Sequence, residues 1–248
     1  MVHFFDIDLE KDRNKKIWRY IDFAKLSSLV NSHSLFLCRA DKFQDDFEGS
    51  YPDMNMHRIA GFNTMDFNLT RYDNGLTPRT PTISNQQLRD KMNICCFHMS
   101  DNESAAMWEL YAMKEQGIAI QSTIGRLHDS INQKIDIAIA KVNYIDYKKD
   151  KIPEETDFHP FFHKRIYFEY EKEVRVLLKK DEVKQPEGII FHESGASLPI
   201  DIEKLIENLY LSPTAPDWYN EVIMACLAQS GVKCPICHSD MDMAPIFV

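Results

Sequence analysis

The hydrophobic and polar positions near the start of the chain follow the spacing of short strands and helices. Residues 17–22 are rich in β-branched and aromatic side chains, which predicts a strand. A helix is predicted over 22–30, capped by Asp22, because its apolar residues fall on one face. These apolar residues are Leu26, Leu29 and Val30. A second short strand is predicted over 34–38.

The periodic pattern weakens after this second strand. Asn74-Gly75 and Pro78 indicate an excursion of short helices and loop over about 51–92, packed beside the core. The end of the excursion predicts a helix over 86–91, which leads into a strand over 93–100.

The helix with the clearest boundaries is predicted over 104–114. Asp101 and Asn102 precede it as candidate caps, and Gly117 follows it as a stop. Further strands are predicted over 117–122, 135–147 and 171–178, as a pair at 189–191 and 209–211, and near 232–238. Further helices are predicted over 124–131, 158–167 and 217–229, the last with Trp218, Val222, Cys226 and Leu227 turned inward. This order lacks a regular strand–helix–strand alternation, which favours an α+β fold over a doubly wound sheet.

Composition narrows the class of protein. The 248 residues are 44% hydrophobic, enough for an ordinary core, and the absence of repeats and linkers predicts a single domain over 1–248. The net charge of −9 argues against a nucleic-acid binder that relies on an overall positive field, although a local basic groove stays open. Acids near the N-terminus and the lack of a long apolar run predict a cytoplasmic protein without a membrane partner. Six scattered cysteines predict free thiols.

The segment around residues 168–178 carries the sharpest chemical pattern. On a strand, Val174, Val176 and Leu178 point one way. Glu171, Glu173 and Arg175 point the other way, so the arginine could hold one carboxylate ionised while the second accepts a hydrogen bond from a substrate. A solvated charged face is the ordinary alternative.

Four other positions could contribute to a site. Arg19, between Trp18 and Tyr20, suits a phosphate or carboxylate, or else forms a structural ion pair. Trp108 and Tyr111 at helical spacing could stack on a planar ring, although the spacing taken alone favours core packing. Ser100 ends its strand, where the spacing favours a helix-capping role over a place in a site.

Metal and polyanion sites have weaker support. Cys234-Pro-Ile-Cys237-His238 is half of a zinc pattern without a second half, so no metal is expected. Asp45, Asp46 and Glu48 could bind magnesium, but their spacing is not diagnostic. Basic patches at 147–151 and 161–165 indicate either solvated surface or the approach of a polyanion.

Several of these segments, taken in order, resemble the bacterial family called domain of unknown function twenty-nine seventy-one. The segments are Trp18-Arg19-Tyr20, Asp41-Lys-Phe-Gln-Asp-Asp-Phe-Glu48, Cys96-Phe-His-Met-Ser100, Met107-Trp-Glu-Leu-Tyr-Ala112 with Gly117-Ile-Ala-Ile, and Tyr170-Glu-Lys-Glu-Val-Arg175. Their order and residue types are also similar to the arginine-serine-glutamate ADP-ribosyltransferases, except that His98-Met-Ser100 stands where Ser-Thr-Ser is common. The resemblance implies a mixed or mostly antiparallel split sheet flanked by helices.

The same resemblance implies an enzyme that transfers ADP-ribose from NAD to an unknown macromolecular acceptor or hydrolyses NAD. A toxin or defence effector is the role that it suggests. It implies that Arg19 holds a phosphate and that Ser100 braces the site. Glu173 would stabilise the cationic ribose and Glu171 would activate the acceptor, with Tyr20, Trp108, Tyr111 and Arg175 contacting NAD. The alternative is a non-catalytic module that binds a nucleotide, peptide or nucleic acid on the same scaffold.

Overall fold

The computed structural model describes residues 2–52, 54–55, 85–112, 114–132, 134–181 and 187–242. Most of the predicted excursion over 51–92, including Asn74-Gly75 and Pro78, lies outside these residues. The described strands are β1 Val2–Phe5, β2 Lys16–Asp22, β3 Ser34–Arg39, β4 Met92–Met99, β5 Gly117–Thr123, β6 Ile137–Lys141, β7 Asn143–Ile145, β8 His163–Arg165, β9 Glu173–Lys179, β10 Ile190–Phe191, β11 Gly195–Pro199, β12 Asn208–Leu211 and β13 Ile236–His238. The described α-helices are α1 Leu9–Asp12, α2 Phe23–Ser32, α3 Asn85–Arg89, α4 Ala105–Tyr111, α5 Ile124–Ser130, α6 Ile202–Leu205 and α7 Asp217–Ser230.

Eleven of the described strands form one mixed sheet, and β7 and β8 form a separate pair. The main path runs β1-β6-β9-β4-β2-β5-β12-β13. In this sheet the pairs β1–β6 and β12–β13 are parallel, and the other described pairs are antiparallel. The predicted α+β class with a mixed, mostly antiparallel sheet is therefore confirmed.

The sheet splits at β4. The C-terminal end of β4 pairs with β2, where Trp18 lies opposite His98. Its N-terminal end pairs with β3, where Cys38 lies opposite Ile94, and the branch continues through β11 and β10. Strand β9 runs along the whole opposite edge of β4. This fork gives the split sheet that the family resemblance implies.

Both sides of the sheet are buried, but by different clusters. The larger core covers one side and includes Phe97, Val174 and Val176, together with the inner faces of α2 and α7. A smaller cluster on the other side is built around Phe161 and Phe162. Each large apolar side chain buried in this way contributes about 1.5–3 kcal/mol to folding. Because β9 lies between the two clusters, all but the last of its side chains are buried.

The helix predicted over 22–30 is confirmed. The helix predicted over 104–114 is confirmed in part, because it spans Ala105–Tyr111 and a 3₁₀ turn at Lys114–Gln116 precedes Gly117. Helix α2 is capped by Asp22, which accepts a hydrogen bond from the backbone N–H of Lys25. Helix α4 is capped by Ser104, one residue before the helix, and not by the Asp101 and Asn102 predicted from the sequence. An N-cap side chain must reach the N–H groups of the first turn, which only Ser104 does here.

Two segments that were each predicted as one long element contain shorter elements in the structure. The strand predicted over 135–147 is interrupted after Lys141, and β7 leaves the main sheet to pair with β8. The helix predicted over 158–167 is wrong: a 3₁₀ turn at His159–Phe162 is followed by β8 and by a second 3₁₀ turn at Ile166–Glu171. The two turns keep this segment compact without a continuous α-helix.

The C-terminal third also differs in detail. The strands β10 and β12 do not pair with each other, because β10 pairs with β11, a strand that the sequence pattern missed. On the inner face predicted for α7, Cys226 and Leu227 are buried as expected. The predictions for Trp218 and Val222 are wrong, because both are exposed and their neighbours Tyr219 and Ile223 are buried instead. Among the described residues, no helix combines the length and apolar character that crossing a membrane requires.

Candidate active site

Strand β9 buries its charged side as completely as its apolar side. Val174 and Val176 enter the larger core. Glu173 and Arg175 project from the opposite side and are only 5% and 0% exposed. The predicted alternation of faces is confirmed, whereas a solvated charged face is excluded. Buried charges at this depth require partners.

The partners form a group that we call the carboxylate cluster: Glu48, Lys164, Glu171, Glu173 and Arg175. Arg175 binds Glu48 through both terminal nitrogens, with Nη1–Oε1 and Nη2–Oε2 distances of 2.6 and 3.0 Å. Its Nε donates to Oε2 of Glu173 at 2.7 Å. Such bidentate, charge-assisted hydrogen bonds fix the positions of both carboxylates.

Lys164 joins the remaining members of the cluster. Its Nζ donates to Oε1 of Glu173 at 2.9 Å and also contacts Oε2 of Glu171. The ammonium lies 4.5 Å from the centre of the Phe168 ring. The lysine therefore bridges the two glutamates that the sequence placed on one strand face.

Backbone geometry brings Glu171 beside Glu173 although Glu171 precedes the strand. The 3₁₀ turn ends at Glu171, and Lys172 takes a left-handed conformation with φ of 42° before β9 begins. The ring nitrogen Nδ1 of His98 lies 2.7 Å from the carbonyl oxygen of Glu171, and the Tyr144 hydroxyl accepts the N–H of Glu173 at 2.8 Å. These contacts hold the turn against β4 and β7.

The environment separates the pKa values of the two glutamates. Burial alone would raise the pKa of Glu173, but the charge of Arg175, the hydrogen bond with Glu171 and the charge of Lys164 hold it well below its usual range. Burial, and next the hydrogen bond and charge of Glu173, raise the pKa of Glu171 from its ordinary 4.5 to about 7. Lys164 opposes this rise. Two carboxyl groups with separated pKa values are typical of acid–base sites.

Tyr111 connects the carboxylate cluster to the surface. Its hydroxyl donates to Oε1 of Glu171 at 2.7 Å, and the residue is 47% exposed. The predicted contact residue Tyr111 and the predicted residues Glu171, Glu173 and Arg175 thus form one connected group.

Tyr20 and Trp108 lie on the same side of the sheet but in a separate aromatic cluster. Their rings meet edge to face with centres 5.1 Å apart. The Tyr20 hydroxyl accepts the N–H of Ser104, and Nε1 of Trp108 donates to Glu103. Trp108 is only 6% exposed, so the structure supports core packing rather than stacking on a ligand.

Arg19 points to the opposite side of the sheet. Trp18 lies opposite His98, and His98 lies opposite Glu173, so these three residues share a side and their neighbour Arg19 does not. Instead, Arg19 enters the split between β2 and β3, where Nη1 contacts Sγ of Cys95 and lies 3.4 Å from the carbonyl oxygen of Cys96. The structure therefore does not bring Arg19 together with Glu173. The contacts of Arg19 are a thiol and a backbone carbonyl, and not the carboxylate of the predicted ion pair.

Ser100 follows the end of β4. Its carbonyl oxygen accepts Nε1–H of Trp18 at 2.8 Å, and its hydroxyl accepts the N–H of Asn102 at 3.3 Å. The hydroxyl thus closes a local turn and does not cap α4. These contacts give Ser100 a bracing role at the junction of β2 and β4, outside the carboxylate cluster.

Two of the three acids considered as magnesium ligands, Asp45 and Glu48, have cationic partners instead. Glu48 binds Arg175, and Asp45 lies 2.8 Å from Nη2 of Arg165. Across the residues that the structure describes, Cys234, Cys237 and His238 included, no group of three or more potential metal ligands assembles. The cations of the basic patch at 161–165 also have partners within the chain. Lys164 is buried in the carboxylate cluster, and the Arg165 guanidinium lies 4.1 Å from the centre of the Phe47 ring.

Sequence reasoning missed Glu48, Lys164 and Tyr144 as members of the site. The sequence pattern indicates no ion pair for Glu48, and it places Lys164 in a basic patch. The available signal was the presence of these charges within segments rich in phenylalanine, because charges in apolar segments are stable only when paired. Their partners lie 127 and 9 residues away along the chain.

A separate cavity of about 470 Å³ lies beside α5 and α6, where it is lined by Arg126, His128, Asp129, Ile131 and Lys204. It shares no residue with the carboxylate cluster. Asp129 already pairs with Arg13, and Lys204 pairs with Asp201. The carboxylate cluster is the candidate active site, because it brings two carboxyl groups and two cations into direct contact and Tyr111 joins it to a half-exposed position.

Comparisons with known proteins give only distant similarities. No protein-family model matches the chain, and no curated protein sequence does so. Thermus sp. 2.9 DarT in complex with NAD+ is similar at 10% identity and a TM-score of 0.44, covering 92% of this chain and 96% of that one. The same protein with carba-NAD+ (10% identity) and with ADP-ribosylated ssDNA (11%) gives TM-scores of 0.43 at the same coverage. Similarity at this level does not tell what this chain binds or does, and the resemblance to the unknown-function family stays a prediction.

Proposed function

We propose that the chain is an ADP-ribosyltransferase-like enzyme that cleaves NAD, either to hydrolyse it or to transfer ADP-ribose to a macromolecular acceptor. The observation that carries this proposal is the buried Glu171–Glu173 pair, which Lys164 bridges and in which Arg175 binds Glu173. These surroundings lower the pKa of Glu173 and raise that of Glu171. The family resemblance supports the choice of NAD. A role as a toxin or defence effector belongs to the same proposal.

Glu173 is assigned to stabilise positive charge. When the bond between the ribose and nicotinamide breaks, its electron pair leaves with nicotinamide and the ribose carbon becomes cationic. An ionised carboxylate near this carbon lowers the barrier, as in glycoside hydrolysis. Arg175 keeps Glu173 ionised and oriented for this task.

Glu171 is assigned to take the proton from the attacking group. Water or an acceptor forms the new bond to the ribose carbon, and its proton passes to the ionised form of Glu171. A base with a pKa near 7 is suited to this transfer at neutral pH. The Tyr111 hydroxyl donates to Oε1 of Glu171, so a substrate hydroxyl would replace it there.

The direct test is the release of nicotinamide from NAD by the purified chain. Glu173→Gln is expected to lower the rate by about 100-fold or more, because loss of one preorganised charge-stabilising group typically costs that much. Glu169→Gln is the matched control, since Glu169 is exposed and two residues from Glu171. Equal rates in Glu173→Gln and the wild type would refute the assignment.

One observation favours the alternative of a non-catalytic binding module. Both glutamates are paired with bases: Glu173 binds Arg175 and Lys164, and Glu171 contacts Lys164. Such pairing also serves a purely structural network. This alternative predicts that NAD, a peptide or a nucleic acid raises the melting temperature while no nicotinamide is released.

A further inference from the structure

The carboxylate cluster contains more acids than bases. Its three carboxyl groups belong to Glu48, Glu171 and Glu173, and its two cations are Lys164 and Arg175. Each of these side chains is at most 10% exposed, so solvent cannot balance their charges. When all three carboxyl groups are ionised, the cluster therefore carries one negative charge that none of its members compensates.

The groups around Glu171 do not supply the missing positive charge. Burial raises the pKa of three of them and lowers the pKa of the fourth, so all are neutral at pH 7: the Cys96 thiol, the Tyr111 and Tyr144 hydroxyls and the His98 ring. Lys172 is exposed, where water and salt screen its charge. Arg165 is already paired with Asp45. In the part of the chain that the structure describes, the cluster is thus one cation short.

A buried negative charge without a counter-ion binds either a proton or another cation. A proton on Glu171 is one solution, and it agrees with the raised pKa of this residue, about 7. A ligand with one positive charge is the other solution. When such a ligand binds, the cluster is neutral with all three carboxyl groups ionised, and the proton of Glu171 passes to solvent.

Tyr111 is the contact of Glu171 that a ligand can displace. Its hydroxyl donates to Oε1 of Glu171 at 2.7 Å, whereas Oε2 contacts the ammonium of Lys164. Lys164 is charged and buried, while Tyr111 is neutral and half-exposed. The single hydrogen bond of a half-exposed hydroxyl is weaker than a buried ion pair, so Tyr111 gives way first.

The side chains beside this contact favour a planar organic cation. Phe168 lies one 3₁₀ turn before Glu171, and its ring centre is 4.5 Å from the Lys164 ammonium. Tyr111 provides a second ring at the same carboxyl group. Aromatic faces attract cations, most strongly where water is excluded. A metal ion is a poorer match, since the described residues nowhere assemble three or more potential metal ligands.

We propose that the carboxylate cluster binds a planar organic monocation in exchange for the proton on Glu171. This inference rests on the proposed function, because the nicotinamide ring of NAD carries one positive charge whereas the ring of its reduced form, NADH, carries none. The cluster therefore selects the oxidised dinucleotide. The exchange also leaves Glu171 ionised, which is the form that its assigned role as a base requires.

Two small probes test the exchange in the absence of any reaction. The ion 1-methylnicotinamide carries the charged ring, nicotinamide is its neutral counterpart, and neither has a ribose bond to cleave. In protein labelled with ¹³C at the glutamate carboxyls, saturating 1-methylnicotinamide is expected to lower the Glu171 midpoint by about one pH unit or more, which corresponds to a tenfold preference for the ionised form. Nicotinamide at the same concentration is expected to leave the midpoint unchanged.

The affinity for 1-methylnicotinamide provides the second readout. In the wild type it is expected to rise about tenfold between pH 6 and pH 8, because the ionised fraction of Glu171 rises by that factor. Glu171→Gln removes the uncompensated charge, so its affinity at pH 8 is expected to be about tenfold lower or less and independent of pH. Glu169→Gln, which changes an exposed carboxyl group two residues away, is the matched control and is expected to bind as the wild type does. Circular dichroism confirms folding of both variants.

An unchanged Glu171 midpoint in saturating 1-methylnicotinamide would overturn the proposal. An equal shift with nicotinamide would show that charge is not recognised, and an equal shift with potassium chloride would show that the ligand is not an organic cation. These failures are distinct from a failure of the proposed function. A chain that exchanges its Glu171 proton for 1-methylnicotinamide but releases no nicotinamide from NAD would support the exchange and refute the cleavage.

Discussion

The two sides of strand β9 are buried equally but are stabilised by different physics. On one side Val174, Val176 and Leu178 pack in the larger core, where contacts are non-directional. On the other side Glu173 and Arg175 are stable only because Glu48 and Lys164 complete their hydrogen bonds. An apolar side chain can lose a neighbour at moderate cost, whereas a buried charge cannot lose its counter-ion. The charged side is thus the more specific, and it is the side on which chemistry is possible.

Removal of Arg175 should show the difference in stability between the two sides of β9 most clearly. Arg175→Met leaves Glu48 and Glu173 buried without their main counter-ion, and the free energy of unfolding at pH 7 should fall by about 3–5 kcal/mol. The loss should shrink at acidic pH, where protonation neutralises the two carboxylates. Chemical denaturation at several pH values measures both effects.

Leu178→Ala is the matched change on the apolar side. It should lower the free energy of unfolding by about 2–5 kcal/mol through lost burial and a cavity. This loss should not depend on pH, because no titrating group is exposed or left unpaired. If the losses in Arg175→Met and Leu178→Ala had the same pH dependence, the comparison between the two sides would fail.

Glu171→Gln tests how the charged side of β9 makes stability depend on pH. In the wild type, Glu171 binds its proton more tightly when folded, with a pKa of about 7 against the ordinary 4.5. Its contribution to stability is therefore complete below about pH 4.5 and is lost as pH rises towards 7. The variant should lack this decline, so its stability relative to the wild type should improve across that window.

The contribution of Glu173 to stability has the opposite pH dependence, because the pKa of Glu173 is lowered in the folded state. Its stabilising effect is present above pH 4.5 and is lost as pH falls. Denaturation of Glu173→Gln over the acidic range provides the control for Glu171→Gln. If both variants changed stability in the same pH window, the separation of the two pKa values would be wrong.

Tyr111→Phe should have the smallest effect. It removes one hydrogen bond at a half-exposed position, which should cost about 0.5–1.5 kcal/mol. Because the hydroxyl donates to Glu171, its loss should also move the titration of Glu171 to higher pH. Leu110→Ala, an exposed change on the same helix, should alter neither quantity.

Local patterns in the sequence predict much of the fold. Residues 22–30 carry both a cap and an apolar face, so α2 follows from neighbouring residues alone. The alternation of charged and apolar residues on β9 is equally local. The split at β4 depends on which strands meet in space, and only the family resemblance suggested it.

The candidate site is less accessible to sequence reasoning because its decisive contacts are distant along the chain. The Glu48–Arg175 pair joins residues 127 positions apart, and Glu48 lies in a segment that reads as a polar turn. For Arg19, a local pattern predicted a site that the fold does not form. Its aromatic neighbours suggested a ligand site, but the pleat of β2 turns it away from Glu173 and into the sheet split.

Titration of the glutamate carboxyl carbons by NMR tests the central claim most directly. In protein labelled with ¹³C at the glutamate carboxyls, one signal should titrate with a midpoint of about 7 and disappear in Glu171→Gln. The signal that disappears in Glu173→Gln should stay in its ionised position well below pH 4.5. If instead the Glu171 carboxyl titrated at its ordinary value, the pair could not divide the acid–base roles, and the account of the site would be contradicted.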